Sequence, residues 1–234
     1  MLILALDSSG KIASAALCRD GVIVAEETRD GGFEHSRTIL PVCEALLARC
    51  GASPRDVDVF AATAGPGSFT GLRIGTAAIK GLAWAQGKPC AAVSTLESAA
   101  QAAYAAQGVL CALVHARADE FFWALFRFEE GLLLRLTPDA VASAADILRT
   151  LPCEAVQLCG DGAAPFLHAA DGDLRLLPGT SVQSAASTAL RAHELALAGR
   201  LCSCHDCNPV YLRVTQAERQ KAEQENAEKE GKAI

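Results

Sequence analysis

Positive charge is in short supply in this chain. Lys and Arg number 21 against 27 Asp and Glu, for a formal charge of -6. Holding a nucleic acid unaided takes a concentrated basic face that neutralises phosphates, so the chain is not expected to grip one alone. A basic leader is also missing, and Asp7 interrupts the first apolar run, so no secretory signal is expected. No long unbroken apolar stretch exists either. The alanine-rich middle is broken by Ser94, Glu97, Ser98 and Gln101, which excludes a membrane span. The glycine-rich segment lacks the Lys-Ser/Thr ending of a P-loop, and there is no Gly-x-Ser-x-Gly nucleophile elbow. Ser68, His35 and Asp7 make a triad only on paper. What remains is a soluble, cytoplasmic α/β protein of one bilobed domain or two small ones, with ample length to bury a core.

Ten cysteines do not imply a disulfide framework. Cys18, Cys43, Cys111 and Cys159 lie in apolar runs, where buried reduced thiols are expected. Cys202, Cys204, His205 and Cys207 have ligand types that suit zinc. Six consecutive residues rarely wrap a tetrahedron, however, and no second ligand pair follows. A surface thiol cluster is the competing reading, and no metal is expected.

The stretch Gly65-Pro66-Gly67-Ser68-Phe69-Thr70-Gly71 joins a strand-like run, Val57 to Thr63, to a helix-like one. From Thr70 to Gln86, Leu72, Ile74, Ala78, Ile79 and Leu82 recur with helical rhythm. Ser68 or Thr70 can cap that helix. Two readings of the loop compete. In one, Gly65, Gly67 and Ser68, with Asp7 nearby, cradle an anion against a helix N-terminus. In the other, Gly71, Gly75 and Ala78 form a small-residue face for close packing, within the chain or against a partner.

Several segments together resemble one family. They are Ile3-Leu4-Ala5-Leu6-Asp7-Ser8-Ser9, Glu34-His35-Ser36-Arg37-Thr38-Ile39-Leu40-Pro41, the glycine-rich segment, Val93-Ser94-Thr95-Leu96 and Pro209-Val210-Tyr211-Leu212-Arg213. In order and spacing they are similar to TsaB, also called YeaZ, the partner subunit of the bacterial complex that makes threonylcarbamoyladenosine in tRNA. The paralogous TsaD subunit shares parts of these motifs. It binds a catalytic metal through two helical histidines four apart. No pair among His35, His115, His168, His193 and His205 has that spacing, which points to the non-catalytic paralogue.

An internal echo supplies the architecture. Leu2 to Asp7, Ala13 to Arg19 and Val22 to Arg29 form a strand meander, repeated as Val109 to His115, Glu120 to Phe128 and Leu132 to Leu136. Helix and strand patterning follows each: Ser36 to Arg49, Val57 to Thr63 and Thr70 to Gln86, then Ala144 to Thr150, Val156 to Cys159 and Ser184 to Ala198. The duplication resembles the two-lobed actin, sugar-kinase and Hsp70 ATPase fold, a duplicated RNase H-like unit. Residues 1–107 would form the first lobe and 108–207 the second. Residues 208–234 would return to the first lobe, with a polar tail from about 216.

ATPases of this fold place an acid at the first strand turn of each lobe to organise magnesium around phosphates. Here the first is Asp7, but the internal counterpart is His115, in His115-Ala116-Arg117 where the family carries Asp-Ala-Arg. Imidazole is a poor magnesium ligand. Asp161 in Gly160-Asp161-Gly162 is the available substitute. The bland role for Asp7 is a hydrogen bond to its own Ser8-Ser9-Gly10 turn.

By the resemblance, the helices starting near Ser36 and Thr70 carry the surface used for a homodimer and for pairing with a TsaD-like subunit. His35, Arg37, Leu40, Gly71, Arg73, Gly75 and Ala78 are then interface candidates. For His35, packing at the helix start competes with a role as a base. A TsaE-like ATPase is expected to join the pair, with tRNA touched indirectly through the complex and no catalytic residue in this chain. No cofactor is firmly implied, although a nucleotide at the partner interface fits. The competing function is a small-molecule kinase or ATPase of the same fold.

Overall fold

The computed structural model describes residues 1–30, 35–104, 106–169, 174–177, 180 and 182–213. The expected polar tail from about 216, and Glu34 of the second motif, lie outside these residues.

The amino-terminal half builds one mixed sheet. β1 (Leu2–Asp7), β2 (Ala13–Arg19) and β3 (Val22–Arg29) form an antiparallel meander. After α1 (His35–Arg49), β4 (Val59–Gly65) pairs parallel with β1, and after α2 (Phe69–Gln86), β5 (Cys90–Ser94) pairs parallel with β4. The order is β3-β2-β1-β4-β5. β1 and β4 are buried at every position because both faces of the sheet are covered, so they read as near-continuous apolar runs. β3 lies at the edge and mixes half-buried with exposed positions.

The second sheet repeats the plan. β6 (Val109–Arg117), β7 (Glu120–Glu129) and β8 (Leu132–Arg135) form the meander, with β9 (Ala140–Ser143) also on β7. After α4 (Ala144–Thr150), β10 (Val156–Cys159) pairs parallel with β6, and after α5 (Ala163–Ala169), β11 (Leu174–Leu176) pairs parallel with β10. The order β8-β7-β6-β10-β11 matches the first sheet strand for strand. The two-lobed α/β fold expected from the internal echo is therefore the fold present.

Each sheet is clothed on both faces. α1 and α2 cover one face of the first sheet with Ile39, Val42, Leu46 and Ile79. α6 (Ala185–Leu197) covers the other with Ala185, Ala189, Ala192 and Leu195. On the second sheet, Ile147 of α4 and Phe166 of α5 fill one face, and Leu96 and Ala100 of α3 (Thr95–Gln101) fill the other. α6 falls in the stretch assigned by sequence to the second lobe, yet its alanine face packs on the first sheet. The small side chains let its backbone lie close over β1 and β2.

Between the sheets, α3 meets α6 through polar groups. Ser98 and Thr188 hydroxyls are 2.9 Å apart, and Gln101 Nε2 donates to Glu194 Oε1 at 3.0 Å. Arg191 donates to Glu97 Oε1 at 3.2 Å and to Glu194 Oε2 at 2.6 Å. Arg135 of β8 also reaches Glu97, at 3.3 Å, and pairs with Asp139. Desolvated charges persist where each finds partners. Of the residues that broke the apolar middle of the sequence, Glu97, Ser98 and Gln101 belong to this seam, while Ser94 caps α3.

Candidate functional site

Strand ends from both sheets face a cleft of about 590 Å³, lined by Ser9, Gly10, Lys11, Gly67, Ser68, His115, Asp161 and Gln183 among others. Ligands of open α/β sheets bind at the carboxyl ends of parallel strands, where the connections diverge.

Asp7 ends β1 and is fully buried. Ser9 N and Oγ donate to its Oδ1 at 2.9 and 2.7 Å, and Thr63 Oγ1 does so at 3.1 Å. Its main commitment is thus to its own turn, as in the bland reading. Oδ2 has no partner among the described residues. Burial raises the Asp7 carboxyl above its ordinary range, opposed by the Ser9 and Thr63 hydrogen bonds, and the charge of Asp161 raises it further. Asp161 is itself raised by burial. Its Oδ1 accepts from His115 N at 3.2 Å and its Oδ2 from Gln183 Nε2 at 2.7 Å. The His115 ring turns back to the Ala118 carbonyl at 3.0 Å. This donor set fits a magnesium ion poorly. One carboxyl is shut away, burial disfavours the charged form of both, and the remaining side is imidazole.

The glycine-rich loop is spent on packing. Ser68 N donates to Ser9 O at 2.7 Å, and a Cβ on Gly67 would lie 2.6 Å from that same oxygen. A Cβ on Gly65 would run into the Val210 carbonyl, at a φ of 119° that other residues avoid. Ser68, not Thr70, is the N-cap of α2 and accepts from Gly71 N at 3.2 Å. Gly71 and Gly75 are buried against Ser8. A Cβ on the first would meet the Ser8 carbonyl and one on the second the Ser8 hydroxyl, which donates to Gly71 O at 2.8 Å. The small-residue face therefore serves a close approach within the chain.

The remaining interface candidates are spread over the outer side of α1 and α2. His35 opens α1, is buried, and donates from Nε2 to the Gly10 carbonyl at 3.0 Å, tying the helix to the turn after β1. Arg37 is exposed and Leu40 is 49% exposed. Ala78 is half-buried with Ile74 and Leu82. These three sit beside the fully buried stripe Leu72, Thr76, Ile79 and Ala83 and pack half-buried against the same core. Arg73 is exposed. Its guanidinium lies 3.9 Å from the Phe69 ring centre and donates from Nε to Tyr211 Oη at 3.0 Å, while Phe69 and Tyr211 stack at 4.4 Å. Phe69 and Tyr211 were not singled out by sequence, since 141 intervening residues hide the contact.

The cysteine motif closes a turn: Asp206 N and Cys207 N donate to Ser203 O at 3.1 and 3.2 Å. Cys207 is buried, Cys202 and Cys204 are half-buried and His205 is exposed. Among the described residues no group of three or more His, Cys, Asp or Glu is arranged to hold a metal ion. Cys18, Cys43, Cys111 and Cys159 are buried free thiols. Burial pushes Cys43 and Cys159 up to about 12. No described helix is long and apolar enough to cross a membrane.

This architecture and its motifs have known counterparts. The family model described as TsaD, tRNA N6-adenosine threonylcarbamoyltransferase, matches residues 24–192. A Bacillus subtilis protein named tRNA threonylcarbamoyladenosine biosynthesis protein TsaB is 32% identical over 221 residues, covering 93% of this chain and 96% of that protein. The solved structure of YeaZ from Pseudomonas aeruginosa superposes with a TM-score of 0.82 at 27% identity, over 90% of this chain and 99% of that one. Component A of the (R)-2-hydroxyglutaryl-CoA dehydratase of Acidaminococcus fermentans shares the fold, with a TM-score of 0.52 at 12% identity over 84% of this chain and 99% of that one.

Proposed function

The chain belongs to the TsaB (YeaZ) family, and from that premise we propose that it is a non-catalytic subunit in the biosynthesis of threonylcarbamoyladenosine in tRNA. It docks against a TsaD-type subunit and holds that enzyme in its active arrangement for transfer to the adenosine next to the anticodon. Its contribution is positional. The observation that carries this reading is the outer surface of α1 and α2, where Leu40 stands half exposed and Arg73 is braced between Phe69 and Tyr211. A planar charged group with its rotamer held, and an exposed apolar side chain on the neighbouring helix, are both groups that suit an interface anchor. His35, Gly71, Gly75 and Ala78 shape that surface from beneath, and Arg37 extends it. Alone, the chain pairs with a second copy through the same helices. A TsaE-type ATPase joins the heteromer in the cytoplasm, tRNA is met through the complex, and a nucleotide lodges at the partner interface.

Size-exclusion chromatography with light scattering, on this chain alone and mixed with the TsaD-type subunit of the same organism, tests the proposal. A stoichiometric complex forming at the expense of a homodimer supports it. Full repeated turnover by the TsaD-type subunit without this chain overturns it.

A second reading, a small-molecule kinase or ATPase, draws on Asp161, which lines the cleft, and on Asp7, buried beneath the Ser9 turn that lines it. It requires tight magnesium-dependent ATP binding by the isolated chain that Asp7→Ala abolishes. The donor set described above disfavours it.

A further inference from the structure

The chain after α6 does not stay on one lobe. From Cys202, whose backbone pairs with Cys90 at the start of β5 with N-H···O distances of 2.8 Å in both directions, it runs as a strap toward the carboxyl end of β4. Lys80 of α2 holds the turn in the strap by donating to Asn208 Oδ1 at 2.7 Å and to the His205 carbonyl at 3.2 Å. Val210 N then donates to Ala64 O at 2.7 Å, and the Val210 carbonyl lies where a Cβ on Gly65 would collide with it. Two residues on, the strap has crossed to the second sheet. Leu212 packs half-buried against the core that holds Leu96 and Phe126. Arg213 Nη2 pairs at 3.1 Å with Oε2 of Glu120, the first residue of β7, and the same oxygen is 3.3 Å from Arg117 Nε. Tyr211 stands between the two moorings, partly exposed, stacked on Phe69 and accepting from Arg73.

We infer that Leu212 and Arg213 are positioning residues for docking: by mooring the strap on the second lobe they hold Tyr211 against Arg73 and so preset the guanidinium that the docking surface presents. The inference rests on the reading of α1 and α2 as that surface. A segment near a chain terminus is ordered only where it is tied down. The backbone of Val210 is fixed to β4, which by itself leaves the torsions of Tyr211 free to swing the ring away from Phe69. Contacts at the next two residues remove that freedom. An arginine held by one ring and one phenol oxygen loses less rotamer freedom when a partner takes it than one loose in solvent. Phe69 and Arg73 belong to α2 and Tyr211 to the strap, yet the contacts that keep the three in register lie on the other sheet. Glu120, a residue of the second lobe, thereby bears on docking through Arg213 and Tyr211 rather than by touching the partner. An ion pair this close to the surface contributes little to folding, so its loss is read at Arg73 and not in the melting temperature.

The experiment labels the arginines of the full chain with nitrogen-15 and follows the Nε–Hε cross-peak of Arg73, identified by its loss in Arg73→Lys. That signal reports the Phe69 ring current and the Tyr211 hydrogen bond with no partner present. Leu212→Ala, Arg213→Ala and Glu120→Gln are each expected to move it toward the position of a solvent-exposed arginine. Each is also expected to weaken binding to the TsaD-type subunit by about two- to tenfold, the cost of ordering one long side chain, measured by titration calorimetry. Arg213→Lys, which can still pair with Glu120, should restore the cross-peak and most of the affinity. Arg213→Ala and Glu120→Gln combined should lose no more than either alone. An Arg73 cross-peak unmoved by Arg213→Ala and Leu212→Ala overturns the inference, and so does a moved cross-peak with wild-type affinity. A wild-type chain that binds no TsaD-type subunit overturns the docking reading instead, and the cross-peak still decides whether the second lobe holds Arg73. Should Leu212→Ala fail to fold, the Arg213 and Glu120 variants decide.

Discussion

Arg191 and Glu97, ninety-four residues apart in the chain, form an ion pair at 3.2 Å with both side chains less than a tenth exposed. The pair joins α6, which lies on the first sheet, to α3, which lies under the second. Glu97 is shared with Arg135, and Arg191 with Glu194 and the Leu133 carbonyl at 3.2 Å. Removing one partner strands the others in a desolvated seam. Arg191→Met is expected to lower unfolding stability by roughly 3 kcal/mol or more, read by urea denaturation. A loss under about 0.5 kcal/mol, the size of an ordinary surface change, would show that the seam is not a unit.

The glycine pair of α2 offers a sharper test, because two neighbouring positions meet different atoms of one residue. Gly75 faces the Ser8 hydroxyl and Gly71 faces the Ser8 carbonyl. Each Gly→Ala change is expected to cost about 1–3 kcal/mol through forced shifts. Ser8→Ala removes the hydroxyl and should recover much of the loss at Gly75 but none at Gly71. Double-mutant cycles by chemical denaturation measure the difference. Equal coupling at both positions would contradict the packing described here.

The meander and crossover order of both sheets was legible in the sequence because β1, β6 and their neighbours carry dense apolar runs separated by turns. β5 and α3 were not. A five-residue strand and a seven-residue helix rich in alanine give little periodicity. The polar residues there read as breaks in an apolar run, since Thr188, Arg191 and Glu194, which satisfy them, lie about ninety positions downstream. At the candidate site, the small face of Gly71 and Gly75 was readable, but its partner Ser8 was not. Likewise the cysteine motif was visible, while Cys90, contributed by a strand more than a hundred residues earlier, carried no local signal.

Asp7 predicts a pH dependence with a definite sign. Burial raises its carboxyl in the folded state, so the unfolded chain gives up that proton at lower pH than the folded chain does. The carboxyl's contribution to stability is complete below the ordinary Asp range and is lost as pH rises through the raised folded value. Asp7→Asn removes this loss and keeps an oxygen to accept from Ser9 and Thr63. Melting temperature in the variant should exceed wild type by a few degrees near neutral pH, and the gap should close on acidification below the ordinary Asp range. A gap that widens on acidification would mean that the carboxylate is stabilised by a cation.

Arg73 is the position where docking and folding separate most cleanly. The guanidinium is exposed, and its contacts with Phe69 and Tyr211 lie outside the four cores. Removing it should change folding stability by no more than about 0.5 kcal/mol. At an interface the same group is a preorganised anchor, with its rotamer already held by two rings, so little entropy is lost on binding. Arg73→Ala is therefore expected to weaken binding to the TsaD-type subunit by about tenfold or more, measured by titration calorimetry, with an unchanged melting temperature. Arg73→Lys keeps the charge but not the planar fork, and should recover only part of the affinity. If Arg73→Ala binds as wild type while Leu40→Asp does not, the contact lies on α1. If neither variant affects binding, the docking surface lies elsewhere on the molecule.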